Sequence, residues 1–253
     1  MTVTVDLSER VALVTGGTRG VGAGIARAFL EAGARVVVCA RRPPEKPDDG
    51  VDFLPVDLRD PDATSAALRQ VGEAYGRLDV LVNNAGGSPH RLLGDADAVR
   101  HARVVELNLI APLNASLAAY ELMRRQPDGG AVIMIGSVSG TRPSPGAAAY
   151  GAAKAGLDNL ARTMAVEWAP ARIRVNTVVL GMVRTELSHL HYGDDDGIAA
   201  IGRTVPLGRL AEPEEVGDAC VFLASDRARY ISGASLAVHG GGERPAYQGA
   251  KEP

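Results

Sequence analysis

Short uninterrupted runs of apolar, mostly β-branched residues alternate along this chain with longer helix-patterned segments. Val11-Ala12-Leu13-Val14-Thr15 leads through a glycine-rich turn into a helical pattern from Val21 to Glu31, with Ile25, Phe29 and Leu30 on one side. The rhythm then repeats. Strands are expected at 35–40, 51–56, 80–82, 131–135, 172–179 and 235–238, and helices at 61–75, 149–168 and 213–224. A long, mostly helical stretch is expected at 95–125, with a break at Pro112. Strands that are apolar on both sides must be covered on both faces, and strand–helix alternation is how a chain builds such a parallel sheet. The pattern predicts an α/β fold: a single domain over residues 1–242, with a doubly wound parallel sheet of about seven strands and a polar tail at 243–253. Between the second and third strands, Pro43, Pro44 and Pro47 leave little room for a helix, so an irregular loop is expected there.

Composition removes several partners. At 253 residues with 46% hydrophobic and 23% charged side chains, a packed globular chain is expected. A formal charge of −3 offers no electrostatic case for nucleic acid or an anionic membrane. No apolar run reaches membrane-spanning length, and the first residues carry no basic, apolar signal, so a cytoplasmic protein is expected. Cys39 and Cys220 sit in apolar runs and read as buried, inert thiols.

The turn Thr15-Gly16-Gly17-Thr18-Arg19-Gly20-Val21-Gly22 follows a strand and opens a helix. Glycines let a diphosphate approach the main chain, and the helix N-terminus supplies free N–H groups and a positive dipole end. The spacing differs from Gly-x-Gly-x-x-Gly, and a merely structural tight turn is the competing reading. At the end of the second strand, a carboxylate would accept the ribose hydroxyls of NAD and repel a 2′-phosphate. Ala40 stands there, followed by Arg41 and Arg42, and Arg19 can reach the same corner from the glycine turn. Arginine matches phosphate in a two-pronged geometry, so NADP is favoured over NAD. For Arg42, solvation of a loop is an equal alternative.

Further polar residues fall at strand ends. Asn83-Asn84-Ala85-Gly86 follows one strand and Ser137 another, and ligands of open α/β sheets bind at that edge. Tyr150 and Lys154 are four residues apart, on one face of a helix otherwise made of small residues. An ammonium ~4 Å from a phenol, at an effective dielectric of ~20, favours phenolate by at most about 4 kcal/mol, roughly three pKa units. The phenol is therefore expected near neutrality, where a proton shuttle works best.

These motifs closely resemble those of the short-chain dehydrogenase/reductase superfamily. The resemblance reaches to about Gly242 and rests on 15–22, Asp57, 83–86, Asn108, Ser137 and Tyr150–Lys154. It continues through Arg174-Val175-Asn176, Gly181-Met182-Val183-Arg184-Thr185, Pro206-Leu207-Gly208-Arg209 and Phe222-Leu223-Ala224-Ser225-Asp226. It implies a Rossmann-like fold and an NADP-dependent oxidoreductase that interconverts ketones and secondary alcohols. Tyr150 would be the general acid/base, Ser137 would hold the substrate oxygen, and Lys154 would bind the nicotinamide ribose and lower the tyrosine pKa. Asn108 would hold a water linking Lys154 to solvent. Cofactor contacts would come from Gly16, Thr18, Arg19, Gly20, Val21, Gly22, Arg41, Arg42, Asp57, Leu58, Asn84, Ala85, Gly86, Gly181, Val183 and Thr185, together with Tyr150 and Lys154. Asp57 and Leu58 would flank adenine, and Thr185 would meet the carboxamide.

The chain departs from the family pattern at Leu180, where proline is usual, and at His239, where aspartate is frequent. The substrate lid, which also holds Tyr192, is expected at 186–205, with His189 and His191 reading as surface residues and Asp194–Asp196 as a solvated hinge. Those consecutive aspartates lack calcium-loop spacing, and no metal is expected. The resemblance also implies a homotetramer, with a homodimer as the alternative, in which Ala152, Ala153 and Gly156 suit close helix packing. A cofactor-sensing protein without turnover and an NAD-preferring dehydrogenase are the competing readings. A sensor would need the glycine turn but would have no use for Ser137, Tyr150 and Lys154 together.

Overall fold

The structure, a computed structural model, describes residues 5–44, 46 and 48–243. In chain order the elements are β1 (Val11–Thr15), α1 (Gly20–Glu31), β2 (Arg35–Ala40), β3 (Val51–Pro55), α2 (Pro61–Tyr75), β4 (Val80–Asn83), α3 (Ala98–Val105), α4 (Ala111–Met123), β5 (Gly130–Ser137), α5 (Ala148–Glu167), β6 (Ile173–Leu180), α6 (Ser188–Tyr192), α7 (Asp195–Thr204), α8 (Pro213–Ala224) and β7 (Ser235–Val238). The strands form one seven-stranded sheet in the order β3-β2-β1-β4-β5-β6-β7, every neighbouring pair parallel. The order reverses between β1 and β4, and a crevice opens at the carboxyl ends of the strands at such a switch point.

Alternation along β1 divides the core. Val11 and Leu13 face a layer built from α2, α4 and α5, including Leu68, Ala115, Met123 and Leu157. Ala12 and Val14 face α1 and α8, including Ile25, Phe29, Val216 and Cys220. The second layer is tight. A Cβ on Gly217 would lie 2.5 Å from the Ala28 Cβ, and one on Gly24 would lie 2.3 Å from the Pro213 Cβ. At the carboxyl end of α8, the half-buried Arg174 gathers carbonyl groups: Nη1 donates to Leu223 O (2.6 Å) and Nη2 to Ala224 O (3.1 Å). A cation there satisfies groups the helix leaves open. The Arg174-Val175-Asn176 motif thus locks α8 and the approach to β7, since Asn176 also donates to Ile231 O (2.9 Å) and accepts from Ala234 N (3.0 Å).

The long helical stretch divides differently from the sequence expectation. Its break is a π-helical turn over Glu106–Ile110, and Pro112 sits in the first turn of α4. In a continuous α-helix the Pro112 ring would strike the carbonyl of Asn108, four residues back. Widening the turn relieves that clash. The aspartate run also behaves differently: Asp194 caps α7 by accepting from Gly197 N (3.0 Å), and Asp195 and Asp196 lie in its first turn, where carboxylates suit the helix dipole. The expected hinge is therefore a helix start, with the actual bend at Gly193. The proline-rich loop has no helix among its described residues. Cys39 and Cys220 are buried, and burial pushes the Cys39 thiol up to about 12 and the Cys220 thiol up as well. No helix among the described residues is long and apolar enough to cross a membrane.

Glycine-to-alanine changes inside helices ordinarily stabilise by about 1 kcal/mol. At position 217 the clash with Ala28 reverses the sign. Gly217→Ala is expected to lose about 1–3 kcal/mol in urea unfolding; a stabilised variant would show that α1 and α8 are not in this contact.

Candidate active site

A cleft of about 560 Å³ runs along the carboxyl edge of the sheet, from the glycine turn to Tyr150. Two residues assemble its floor. Thr15 Oγ1 accepts from Asn84 N (2.9 Å) and Ala85 N (3.0 Å), and Asn84 Nδ2 donates to Thr15 O (2.9 Å) and Gly16 O (3.2 Å). The turn after β1 and the loop after β4 are thereby fastened together. Gly16 (φ 63°) and Gly20 (φ 55°) adopt the left-handed backbone that other residues resist. A Cβ on Gly22 would lie 2.2 Å from Gly16 O. Arg19, at the start of α1, offers no side-chain cap, so the first N–H groups of that helix are left to whatever enters the turn.

At the other end, β5 finishes in Ser137 and a short 3-10 turn, Val138–Gly140, before α5. That turn is pressed against α5. A Cβ on Gly140 would be 2.8 Å from Ala155 N, and one on Gly151 would be 2.6 Å from Ser139 O. The small residues around Tyr150 thus allow the strand end and the helix to meet, which brings the Ser137 hydroxyl to the Tyr150 phenol as a hydrogen-bond partner. Beneath them, the buried Lys154 Nζ donates to Ile135 O (2.7 Å) and lies 5.6 Å from the centre of the Tyr150 ring. Of the small residues expected to face another subunit, Ala153 is buried within the chain and Gly156 meets Leu109, while Ala152 is exposed.

The electrostatics correct the sequence expectation for Tyr150. Burial raises its pKa, with the Ser137 hydrogen bond opposing the rise, and burial lowers Lys154 to about 8. An ammonium and a phenol side by side favour phenolate most when both stay solvated. Loss of water outweighs that attraction when both groups are covered. The phenol therefore keeps its proton at neutral pH.

Asn108 is buried in the π turn, and its side chain is occupied by backbone. Nδ2 donates to Gly87 O (2.9 Å) and Val104 O (2.8 Å), and Oδ1 accepts from Gly87 N (2.9 Å). It clamps the loop after β4 beside Lys154: a Cβ on Gly86 would sit 2.6 Å from Asn108 Oδ1 and 3.5 Å from Lys154 Nζ. The cleft is lined by all the expected cofactor residues except Arg42, which is exposed and lies outside the lining. Arg59 and Glu186 line it and were not singled out from the sequence. Arg59 chelates Asp57, a contact that the Asp-x-Arg spacing allows but does not announce. His189 is exposed and holds Gly193 O (3.1 Å) through Nδ1; the His191 side chain and the tail 244–253 lie outside the described residues. His239 packs on Gly181, as local structure.

Residues 16–243 match the family described as enoyl-(acyl carrier protein) reductase. Over 245 residues the chain is 34% identical to a 3alpha-hydroxysteroid dehydrogenase of Mediterraneibacter gnavus, covering 92% of this chain and 97% of that protein. The chain belongs to the short-chain dehydrogenase/reductase superfamily. Solved structures agree with this membership. The ligand-free aldohexose dehydrogenase of Thermoplasma acidophilum superposes with a TM-score of 0.88 at 30% identity, covering 94% of this chain and 96% of that one. The RhlG/NADP active-site complex of Pseudomonas aeruginosa gives 0.86 at 32% identity, covering 95% and 99%. As a short-chain dehydrogenase/reductase, the chain is an oxidoreductase acting on CH–OH and C=O groups. A nicotinamide dinucleotide fits the cleft. The uncapped α1 N-terminus accommodates a diphosphate, and the close glycine packing leaves its backbone accessible from the cleft.

The Lys154 shift predicts how stability depends on pH. Below about 8, folded and unfolded chains both carry the ammonium and the burial penalty is present in full. Between about 8 and the ordinary 10.5, the unfolded chain still binds the proton that the folded chain has lost, so stability rises with pH. Relative to Lys154→Met, the parent should gain on the order of 2–3 kcal/mol between pH 7 and pH 10 in urea unfolding. A constant difference would mean that the ammonium is not desolvated.

Proposed function

We propose that this chain reduces a ketone to a secondary alcohol with NADPH, and runs the reverse oxidation with NADP, using Tyr150 as the general acid/base. The observation that carries this proposal is the gathering of the Ser137 hydroxyl, the Tyr150 phenol and the Lys154 ammonium at one end of a cleft whose other end is the glycine turn. When bound, the nicotinamide supplies hydride to the carbonyl carbon or takes it from the carbinol carbon. Ser137 Oγ orients the substrate oxygen, and Tyr150 Oη gives its proton to that oxygen as negative charge develops there. Lys154, still mainly an ammonium at neutral pH, holds the ribose and steadies the phenolate that forms. Asn108 keeps the loop at Gly87 in place beside them.

The turn 16–22 would take the diphosphate, Asp57 and Leu58 the adenine, and Asn84-Ala85-Gly86 the middle of the cofactor. Gly181 and Val183 would also contact the cofactor, and Thr185 would meet the carboxamide. Arg19 and Arg41 line the adenosine end and Ala40 stands where a carboxylate would select NAD, which supports NADP. The RhlG complex with NADP supports the same choice. The alternative, a sensor without turnover, is disfavoured by the joint presence of Ser137, Tyr150 and Lys154. The family resemblance is what supports a homotetramer, with a homodimer as the alternative.

In a panel of ketones and secondary alcohols read at the nicotinamide absorbance band, Tyr150→Phe should lower kcat by about 10²–10⁴-fold without unfolding the chain. Because the phenol starts protonated, alcohol oxidation should speed up with rising pH while ketone reduction does not. Unchanged turnover in Tyr150→Phe would remove the phenol from the reaction. NADPH should bind more tightly than NADH, and Arg41→Ala should narrow the gap; equal affinities in the parent would contradict the cofactor assignment.

A further inference from the structure

Ser188, the first residue of α6, is 2% exposed, although Glu186, His189 and Leu190 around it are exposed. Its hydroxyl turns back to accept from Thr185 N (2.9 Å), and its own N–H donates to Thr185 O (2.9 Å). Both backbone polar groups of Thr185 are thus closed on Ser188. A third bond, from Leu187 N to Thr185 Oγ1 (3.3 Å), fixes the Thr185 side chain. That bond engages a lone pair of the Thr185 hydroxyl and leaves its O–H to donate. The resulting turn forms part of the cleft wall. Thr185, Glu186 and Leu187 line the cleft, and Ser188 lies behind them, outside the lining. A Cβ on Gly20 would lie 3.5 Å from Thr185 Cγ2, so the start of the lid packs on the first residue of α1.

We infer that Ser188 is a positioning residue for the nicotinamide half of the cofactor: from behind the cleft wall, it holds Thr185 against the glycine turn with the Thr185 hydroxyl proton free for an acceptor. This rests on the proposed function above, in which Thr185 meets the carboxamide, whose oxygen is such an acceptor. Because Ser188 consumes the Thr185 N–H, Thr185 meets the cofactor through its hydroxyl and not through its main chain. Without the Ser188 hydroxyl, that N–H turns to water, and the start of the lid loses one of the three bonds that define it. A local side-chain bond of this kind is what keeps a short turn in one conformation. Ser188 carries no charge, so its loss leaves the electrostatics of the diphosphate and adenosine ends as they are.

The test compares binding of a whole dinucleotide with binding of its adenosine fragment, measured by calorimetry on the full chain. The pairs are NADPH with adenosine 2′,5′-bisphosphate and NADH with AMP. Ser188→Ala should weaken the preferred dinucleotide about 3–10-fold and its fragment by less than about twofold. Ser188→Thr keeps the hydroxyl and should stay within about twofold of the parent. In a Thr185→Ala background, Ser188→Ala should add less than about twofold, because Ser188 acts through Thr185. Equal weakening of dinucleotide and fragment would overturn the inference, since the substitution would then be loosening the fold at large. A loss in Ser188→Thr as large as in Ser188→Ala, or a full loss in the Thr185→Ala background, would overturn it as well. If Ser188→Ala does not fold, amide exchange in the parent decides. The Thr185 amide should exchange at least about tenfold more slowly than that of the neighbouring Glu186, and equal rates would contradict the inference. A parent that binds neither dinucleotide contradicts the proposed function and this inference with it, whereas a parent that binds one while Ser188→Ala changes nothing overturns the inference alone.

Discussion

A buried ammonium hydrogen-bonded to a strand carbonyl organises this cleft. Lys154 lies on α5, and its ammonium donates to the Ile135 carbonyl of β5 at 2.7 Å. Taking a charge out of water costs several kcal/mol, and a hydrogen bond to a charged group returns about 1.5–3 kcal/mol. The balance must come from elsewhere in the fold. The packing of the 138–140 turn on α5 and the apolar layer around Leu157 supply it. The cost is accepted because the same contact sets Tyr150 over Lys154 and beside Ser137.

The cofactor end is built on different principles. No buried charge is needed there, because main-chain groups do the work. Thr15 and Asn84 saturate one another's neighbouring backbone and fix the glycine turn relative to the loop after β4. Asn108 repeats the device further along the same loop, clamping Gly87 from a π turn that Pro112 enforces. The two ends share the β4 loop, so the position of the turn and that of the Lys154 ammonium are coupled through 84–87.

Much of this was legible in the residues because it depends on local pattern. Continuous apolar runs, the strand–turn–helix at 11–31 and the Tyr150/Lys154 spacing each encode structure within one element or its neighbour. What could not be read depends on burial or on groups brought together by folding. The direction of the Tyr150 shift needed to be weighed against desolvation, which a spacing does not report. The Asn108 turn has a signal, a proline four residues on, but sequence alone puts the break at the proline, whereas the ring clash it avoids lies a turn earlier. Asp194 as a helix cap was likewise available from Asp-Asp-Asp-Gly, where a hinge was expected. For Arg42 the sequence leaves phosphate binding and loop solvation equally open, and in the fold it is exposed while only Arg41 of the two lines the cleft.

The most direct test of the buried pair is a carbon-13 NMR titration of ring-labelled tyrosine in the empty chain, with the Tyr150 signal assigned by its loss in Tyr150→Phe. The phenol should titrate above its ordinary value near 10, as its burial requires. A midpoint close to neutrality would contradict the account, because the ammonium would then be governing the phenol as a solvated neighbour rather than lying desolvated beneath it.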